Sequence, residues 1–446
     1  MTEHKNNAVV ISVLMGLGHL RAADPLKHLA AEGVLVYGSR NTTPPAEYRL
    51  WRGIRRSYYF FSQAGSIPVM GALFLRFLVW LQHIDPYYPR QDRSRPTASV
   101  RYLDYLIRRR GLCSGLIEKI RGYAGPVIHT YFATALALDQ KGDAALLNYL
   151  LICDSDFNRV WVPLNPRRSS LRYLAPCTQV KRRLLSYGVP EEQIFLTGFP
   201  LPRENIGSER ELEVLKNDLF MRLARLDPCK RFFQTHYRSV ASWLDRTGVP
   251  PHSERITITF AIGGAGAQAE LIFTILKSLR SAVRKGIIRV MISVGIQKRI
   301  VERVFGYINR LGLYDEMEKG VEVIFDPNPS VYLDRFNASL RQTDILWTKP
   351  SELVFYSALG LPIIMAPPIG THEELNKRWL QEIHAGINPP GPVECCHEWL
   401  FDLRESGRFA EAAWDGFLKG RKLGTYKIER LINQGVFEEG QSPLEQ

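Results

Sequence analysis

Short apolar runs alternate with amphipathic stretches along the chain, and many of the runs end at Gly, Pro or Asp. The runs lie at residues 8–15, 34–37, 126–129, 150–154, 159–162, 173–176, 193–197, 256–262, 288–294, 321–325, 344–347 and 361–365. Stretches with helical periodicity separate them at residues 24–31, 178–187, 208–225, 267–284, 297–311, 330–341 and 351–358. Strands that are apolar throughout are typical of parallel sheets covered on both faces. The pattern therefore predicts an α/β protein.

Two of the apolar runs lead into glycine-rich turns. The first turn contains Gly16, Gly18 and His19, and the second contains Gly263, Gly264, Gly266 and Gln268. Such turns let a ligand reach the main chain at a helix N-terminus, although they also serve tight strand–helix packing. Neither is a phosphate-binding P-loop, and the first lacks the third glycine of a dinucleotide fingerprint. The doubled turn predicts two Rossmann-like halves.

The length of 446 residues favours at least two domains, since one hydrophobic core rarely extends so far. We predict an N-terminal Rossmann-like domain at residues 1–205 and a helical linker region at 206–254. A second Rossmann-like domain is predicted at 255–405 and a helical tail at 406–446.

Charge is unevenly distributed along the chain. There are 58 Lys and Arg against 45 Asp and Glu, a net charge of +13, and the excess is concentrated at residues 49–121. This favours an anionic partner, and no nucleic-acid reading motif accompanies it. Within that region Ile67–Ile84 is apolar, with Arg76 and Trp80 inside it and Arg52, Arg55 and Arg56 before it. A membrane-surface helix, an ordinary core helix and a transmembrane span are the three interpretations.

The cysteines and the N-terminus favour a cytoplasmic protein. Six cysteines are scattered without a C-x-x-C pair or a zinc-ligand spacing, which indicates reduced thiols. The first seven residues are polar and lead directly into a predicted strand, so no signal peptide is expected.

Polar side chains gather where several predicted strands end. His19 heads the first helix and is a candidate proton acceptor, with helix capping as its alternative. Thr348, Lys349, Ser351 and Glu352 follow one strand of the second half. The next loop carries the remaining candidates Gly370, Thr371, His372, Glu373, Glu374 and Asn376. Carboxylates and amides suit sugar hydroxyls, and Lys349 suits a phosphate; the alternative is that the glutamates only complement helix dipoles.

At these residues the chain resembles GT-B fold glycosyltransferases. The branch is the one containing monogalactosyldiacylglycerol synthase, processive diacylglycerol glucosyltransferases and the lipid II-forming N-acetylglucosaminyltransferase. The similar segments are Gly16–Ala23, Cys153–Pro163, Ser186–Pro200, Gly263–Gly266 and Gly360–Asn376. The resemblance implies two Rossmann-like domains facing a central cleft, with the acceptor bound by the first and the donor by the second.

The resemblance also implies inverting, metal-independent transfer of a hexose from a nucleotide diphosphate sugar, a UDP-sugar, to a hydroxyl. No cofactor is implied beyond this co-substrate. His19 is the first candidate base, and Asp154 or Asp156 the second. The second glycine turn, Ser351 and Lys349 would hold the diphosphate, Phe325 the base, Glu352 the ribose, and Glu373, Glu374 and Asn376 the sugar. A lipid acceptor on an anionic membrane would suit the basic first half, placing the protein on the inner face of the cell membrane.

Phe355 stands where the family has its ribose-binding Glu, one helical turn after Glu352. This departure motivates one rival interpretation, and the shared fold leaves a second one open. One is a non-catalytic GT-B protein that binds a nucleotide sugar or an anionic glycan, and the other is a nucleotide-sugar epimerase, which needs no acceptor.

Overall fold

The computed structural model describes residues 8–64, 84–143, 145–248, 255–262, 269–368 and 370–446. The chain forms two compact units. The first takes in the described residues up to Leu201, the short segment that ends at Asn376, and Leu423–Gln446. The second takes in Pro202–Pro368 and Lys377–Lys422. Residues 370–376, assigned to the second half from sequence, thus pack in the first unit.

A six-stranded parallel sheet forms the centre of the first unit, in the order β2-β1-β3-β4-β5-β6. Its strands are β1 (Ala8–Val13), β2 (Ala30–Tyr37), β3 (Val127–His129), β4 (Asn148–Leu151), β5 (Arg172–Leu174) and β6 (Ile194–Phe195). Strands β3 and β4 are buried along their whole length, as expected for a sheet covered by helices on both faces.

The helices of the first unit connect these parallel strands. They are α1 (Gly18–Ala23), α2 (Pro45–Ala64), α3 (Ala98–Arg110), α4 (Ser114–Ile120), α5 (Phe132–Lys141) and α6 (Thr178–Ser186). Helix α3 turns Val100, Leu103 and Ile107 inward, at the three-to-four-residue spacing of an amphipathic helix. The C-terminal helix α15 (Gly424–Gln434) also packs in this unit, where an added Cβ at Gly424 would lie 2.2 Å from the Phe199 carbonyl oxygen.

The second unit contains another six-stranded parallel sheet, in the order β12-β11-β10-β7-β8-β9. Its strands are β7 (Ile256–Ala261), β8 (Ile288–Gly295), β9 (Val321–Phe325), β10 (Ile345–Thr348), β11 (Ile363–Met365) and β12 (Gly386–Ile387). Two parallel Rossmann-like sheets with helical connections confirm the predicted α/β class.

The helices of the second unit begin before its sheet. They are α7 (Glu213–Leu226), α8 (Arg231–Leu244), α9 (Ala269–Arg284), α10 (Lys298–Arg310), α11 (Pro329–Leu340), α13 (Cys396–Glu405) and α14 (Arg408–Lys419). Helix α12 (Thr371–Glu382) contributes its first turns to the first unit and the rest to the second.

Packing explains why a glycine stands at position 360, within one of the segments that resemble the GT-B family. Its φ of +67° lies in the left-handed region, and an added Cβ would come within 2.5 Å of Leu219 on α7. The buried guanidinium of Arg222 on the same helix donates to the carbonyl oxygens of Leu359 and Gly360 at 2.8 and 3.1 Å. A glycine is therefore required here by the fold alone.

Some predicted elements are wrong in detail. Residues 159–162 form a 3-10 helix, Arg159–Trp161, rather than a strand. The predicted helix at residues 24–31 is a 3-10 helix, Asp24–Leu29, that leads straight into β2. The predicted helix at 351–358 is likewise a 3-10 helix, Glu352–Leu359.

The apolar segment Ile67–Ile84, for which three interpretations were left open, lies outside the described residues except for Ile84, so Arg76 and Trp80 lie outside them as well. No described helix combines the length and the apolar character needed to cross a bilayer.

Candidate functional site

Each sheet has a point where the chain order reverses. In the first sheet β1 pairs with β2 on one side and with β3 on the other. Ligands of open α/β sheets bind beyond the carboxyl ends of the strands at such a switch point. The loops that follow β1, β3 and the neighbouring β4 therefore delimit the candidate site of the first unit.

The first glycine turn joins β1 to α1. Gly16 has a φ of +82°, a left-handed conformation that favours glycine. Helix α1 then starts at Gly18, so His19 is its second residue and stands beside the switch point, half-buried. The structure thus places the candidate base at the edge where a ligand of this fold would bind.

Aromatic rings surround the His19 imidazole. The Tyr131 ring meets it edge-on with centroids 5.2 Å apart, and the Trp161 ring lies at 6.2 Å. Trp161 also approaches Phe132 at 5.0 Å. Tyr131 is buried, whereas Trp161 and Phe132 are half-buried like His19. One buried and two partly accessible aromatic rings therefore line the region around the candidate base.

Asp154 is tied to Asn376 within the first unit. The Asn376 Nδ2 donates to Asp154 Oδ1 at 2.8 Å, and its Oδ1 accepts from the Ser155 backbone N–H at 2.8 Å. Asn376 is fully buried and Asp154 is half-buried. We assign Asn376 the task of positioning this loop. Its predicted contact with a sugar stays a prediction, as does the role of Asp154 as a base.

The Asp156 carboxylate is held in place by hydrogen bonds within the first unit. It is fully buried and accepts from Arg183 Nε at 2.7 Å and Arg183 Nη2 at 2.6 Å. Gln179 Nε2 and the Phe157 N–H donate to the same carboxylate at 3.1 and 2.9 Å. With both oxygens engaged, this carboxylate is poorly placed to take a proton from a substrate, so the geometry favours His19 and Asp154 over Asp156.

The first turn of α12 carries the acidic candidates. Glu373 is buried, and its Oε1 lies 3.9 Å from His372 Nε2. Glu374 is exposed, and its N–H donates to the Gly370 carbonyl oxygen at 3.1 Å. Thr371 begins the helix and is half-buried. These residues lie in the first unit, beside Asn376.

The switch point of the second sheet lies between β7 and β10. Thr348 ends β10, is buried, and donates its hydroxyl to the Ala261 carbonyl oxygen on β7 at 3.2 Å. Lys349 follows it and is half-buried. Gly263, Gly264, Gly266 and Gln268, predicted to form the adjoining turn, lie outside the described residues.

Glu352 and Phe355 lie in the 3-10 helix after β10. Ser351 precedes the helix without a side-chain capping hydrogen bond, and Glu352 is buried in the first turn. Phe355 is also buried, with its ring 5.0 Å from Trp379, so it packs in the core of this unit. Phe325 ends the edge strand β9 and is half-buried.

Three of the arginines predicted to face a membrane or an acceptor lie within the described residues. On α2, Arg52 and Arg56 are exposed, while Arg55 donates to the Tyr48 hydroxyl at 3.2 Å. Helix α3 adds an outer face that the sequence prediction did not include, with Tyr102 and Tyr105 58% and 47% exposed. No group of three His, Cys, Asp or Glu side chains that could hold a metal ion occurs within the described ranges.

Sequence reasoning missed the aromatic residues around His19. The apolar pattern predicts a strand at Trp161, and it does not single out Tyr131 or Phe132. The strand order would have revealed them, because β1, β3 and β4 are adjacent and their following loops must meet at one edge. Arg183 was missed because its spacing from Asp156 indicates no local contact.

The comparisons with known proteins find solved structures of low similarity that span almost the whole chain. A UDP-bound MnaA structure from S. aureus is 12% identical and has a TM-score of 0.47, with 98% of each chain covered. A UDP-GlcNAc 2-epimerase from Neisseria meningitidis is 11% identical, with 94% of this chain and 98% of that one covered and a TM-score of 0.44. A glycosyltransferase from Rickettsia africae is 13% identical, with 96% and 99% covered and a TM-score of 0.39.

No protein-family model matches the chain, and no curated protein matches it in sequence. Because the TM-scores are below 0.5, these likenesses carry no argument about the fold or the function. The fold stands on the strand order of the chain itself.

Proposed function

We propose that the protein is an enzyme of nucleotide sugars, and specifically a metal-independent glycosyltransferase that uses a UDP-sugar donor. The observation that carries the proposal is the position of His19, at the head of α1 beside the switch point between β1 and β3. A neutral imidazole there can take the proton of an acceptor hydroxyl as that oxygen attacks the anomeric carbon. The bond from this carbon to the diphosphate breaks, and the diphosphate leaves with the bonding electrons.

We assign binding of the UDP-sugar donor to the second unit. Lys349 and Glu352 follow β10 at the switch point of the second sheet. The ammonium group of Lys349 would balance charge on the leaving diphosphate, and the Glu352 carboxylate would accept hydrogen bonds from ribose hydroxyls. Phe355 packs in the core, so Glu352 is the acidic group that the 3-10 helix offers.

Donor turnover tests this proposal. Purified protein is incubated with UDP-glucose, UDP-galactose or UDP-N-acetylglucosamine, and UDP release is followed with and without acceptors. We expect His19→Ala to lower turnover by about a hundredfold to ten-thousandfold, the usual contribution of a general base. His236→Ala is the matched control, because this half-buried imidazole stacks on Phe232 in the second unit at 4.7 Å. Equal turnover in the His19 variant and wild type would refute the assignment of the base.

The same incubation separates the rivals. Conversion of one UDP-sugar into another without an acceptor would identify an epimerase. Binding of UDP-sugars without any turnover would identify a non-catalytic protein.

We further propose that the enzyme works at an anionic lipid surface. The support is the outer face of α3, where Arg101, Arg109 and Arg108, which pairs with Asp104, are exposed together with the two tyrosines. Arginine with aromatic residues suits a negatively charged interface. The protein should sediment with phosphatidylglycerol vesicles at low salt and be released at high salt. Absence of sedimentation at low salt would remove this argument and leave the donor assignment intact.

A further inference from the structure

We propose that Phe132 and Trp161 form an acceptor subsite that takes the apolar face of a pyranose ring, so that the acceptor hydroxyl belongs to a sugar; this rests on the proposed transfer function. We call these two rings, with Tyr131 and Phe157 behind them, the aromatic wall. No part of the wall was predicted as a ligand site from the sequence.

The wall stands beside the candidate base because of the strand order. Phe132 begins α5 three residues after the end of β3, and Trp161 lies in the loop after β4. His19 follows β1, and these three strands are neighbours in the sheet. An acceptor whose hydroxyl reaches the His19 imidazole must therefore place the rest of its skeleton near these rings.

The wall has a buried back and an accessible front. Tyr131 and Phe157 are 9% and 2% exposed, and their ring centroids lie 6.4 and 6.3 Å from that of Trp161. Trp161 and Phe132 are half-buried at a centroid distance of 5.0 Å. The back supports the front rings, which retain surface that a ligand can cover.

The loop that carries Trp161 is firmly held. The buried Arg159 guanidinium donates to the carbonyl oxygens of Val162 and Pro163 at 2.6 and 2.9 Å. The Tyr173 hydroxyl donates to the Trp161 carbonyl oxygen at 3.2 Å, and the Asn158 side chain caps the turn through the Val160 N–H. A platform fixed in this way loses little conformational entropy when a ligand binds.

The surrounding chemistry favours a sugar over other hydroxyl compounds. Aromatic faces carry negative charge density and attract the C–H groups on the flat face of a pyranose. Polar groups stand at the same edge of the sheet, with His19 after β1 and Asp154 after β4. A sugar ring uses both kinds of contact, whereas the open-chain hydroxyl of a diacylglycerol offers no flat face to the wall.

Fluorine NMR of fluorotryptophan-labelled protein tests the subsite without any turnover. The Trp161 resonance is assigned by its loss in Trp161→Phe. The labelled protein is then titrated with methyl glucopyranoside, octyl glucopyranoside and dioctanoylglycerol. We expect the Trp161 resonance to shift with a pyranoside and the Trp243 resonance to stay unchanged. Trp243 is the matched control, since it is a half-buried tryptophan of the second unit.

The outcomes of the titration show whether the subsite recognises a pyranose ring by itself or only a lipid-linked sugar. A shift with both pyranosides supports recognition of the ring itself, and a shift only with the octyl compound supports a lipid-linked sugar. No shift with either pyranoside, or a shift only with dioctanoylglycerol, would overturn the proposal.

Steady-state kinetics provide a second test of the subsite. Trp161→Leu should raise KM for a pyranoside acceptor about tenfold, while kcat and the KM for the donor stay near wild type, because stacking acts on acceptor binding. Trp243→Leu should change none of these. If wild type turns over no donor, the proposed function fails, while the titration still decides whether the wall binds a sugar ring. If the enzyme is active but KM is insensitive to Trp161→Leu, the subsite alone fails.

Discussion

The two sheets share a plan but differ in the residues beyond their switch points. In the second sheet β7 has β8 and β9 on one side and β10, β11 and β12 on the other. In the first sheet, among the described residues, β1 has only β2 on one side and four strands on the other. In both sheets the first strand of the unit lies at the switch point and leads toward a predicted glycine turn.

The residues after the neighbouring strands distinguish the two edges. In the first unit, β3 and β4 are followed by aromatic rings and by Asp154 and Asp156, which accept hydrogen bonds from Asn376 and Arg183. In the second unit β10 is followed by Lys349 and Glu352. The residues that follow the neighbouring strands are thus mainly aromatic in one unit and charged in the other, and the proposed roles of acceptor and donor binding follow this difference.

The largest expected effect comes from the buried ion pair of the first unit. Arg183→Met would leave the fully buried Asp156 carboxylate without its cation, which should lower the free energy of unfolding by about 3–5 kcal/mol. Arg225→Met in the second unit should cost less, because Arg225 is 19% exposed whereas Arg183 is 2% exposed. Hydrogen exchange in rising urea measures each unit separately.

The adjacent Arg182 supplies the control for this experiment. Its side chain is exposed, so Arg182→Met should change the free energy of unfolding by no more than about 0.5 kcal/mol. A loss of similar size in all three variants would mean that burial of the pair does not distinguish the first unit.

The next largest expected effect comes from the charge of Lys349, which follows β10 of the second sheet. Lys349→Ala should weaken UDP binding by about 2 kcal/mol, roughly thirtyfold, because a charge-assisted hydrogen bond to phosphate is lost. Isothermal titration calorimetry measures the Kd. Lys277→Ala, on the exposed side of α9, should leave it unchanged. A Kd that Lys349→Ala does not alter would remove the proposed diphosphate contact from the second unit.

The sequence was sufficient to predict two parallel sheets, and it placed most of the candidate residues after the ends of strands. The apolar runs contain the whole of β1, β3, β6, β7, β9 and β11 and most of β8 and β10, since strands covered on both faces are largely apolar. Asp24–Leu29 and Arg159–Trp161 were misassigned because one or two 3-10 turns carry no clear periodic signal, and Pro25 and Trp161 fit other elements as well.

The partners of site residues could not be predicted in the same way. Asn376 meets Asp154, and Arg183 meets Asp156, only after the chain has folded. The sequence identified polar groups suited to a sugar, but it could not tell which of them the protein uses for itself.

A buried imidazole near the first edge provides the third prediction. Burial lowers the pKa of His129 to about 3, although a hydrogen bond with Asn148 opposes the shift. The unfolded chain takes up a proton below about pH 6.5, whereas the folded protein does not until about pH 3. This contribution to stability is therefore present above pH 6.5 and is lost as the pH falls, at about 1.4 kcal/mol per pH unit.

Urea denaturation from about pH 7 down to about pH 5 measures this loss. His129→Asn should flatten the dependence by about 1.4 kcal/mol per pH unit at the acid end. His384→Asn is the control, because that ring is exposed and Asn tolerates its φ of +63°. Equal slopes in wild type and His129→Asn would show that His129 is protonated in the folded protein.

The smallest expected effect tests how the second edge recognises a nucleoside. If Glu352 accepts hydrogen bonds from ribose, the protein should bind UDP about fivefold more tightly than deoxyuridine diphosphate, a difference of about 1 kcal/mol. Glu352→Gln should shrink this preference, because an amide offers the hydroxyls a weaker acceptor than a carboxylate. Calorimetry with both nucleotides on both proteins gives the four Kd values. An unchanged preference with a less stable second unit would instead assign Glu352 to the start of its 3-10 helix, where an acidic side chain complements the backbone N–H groups.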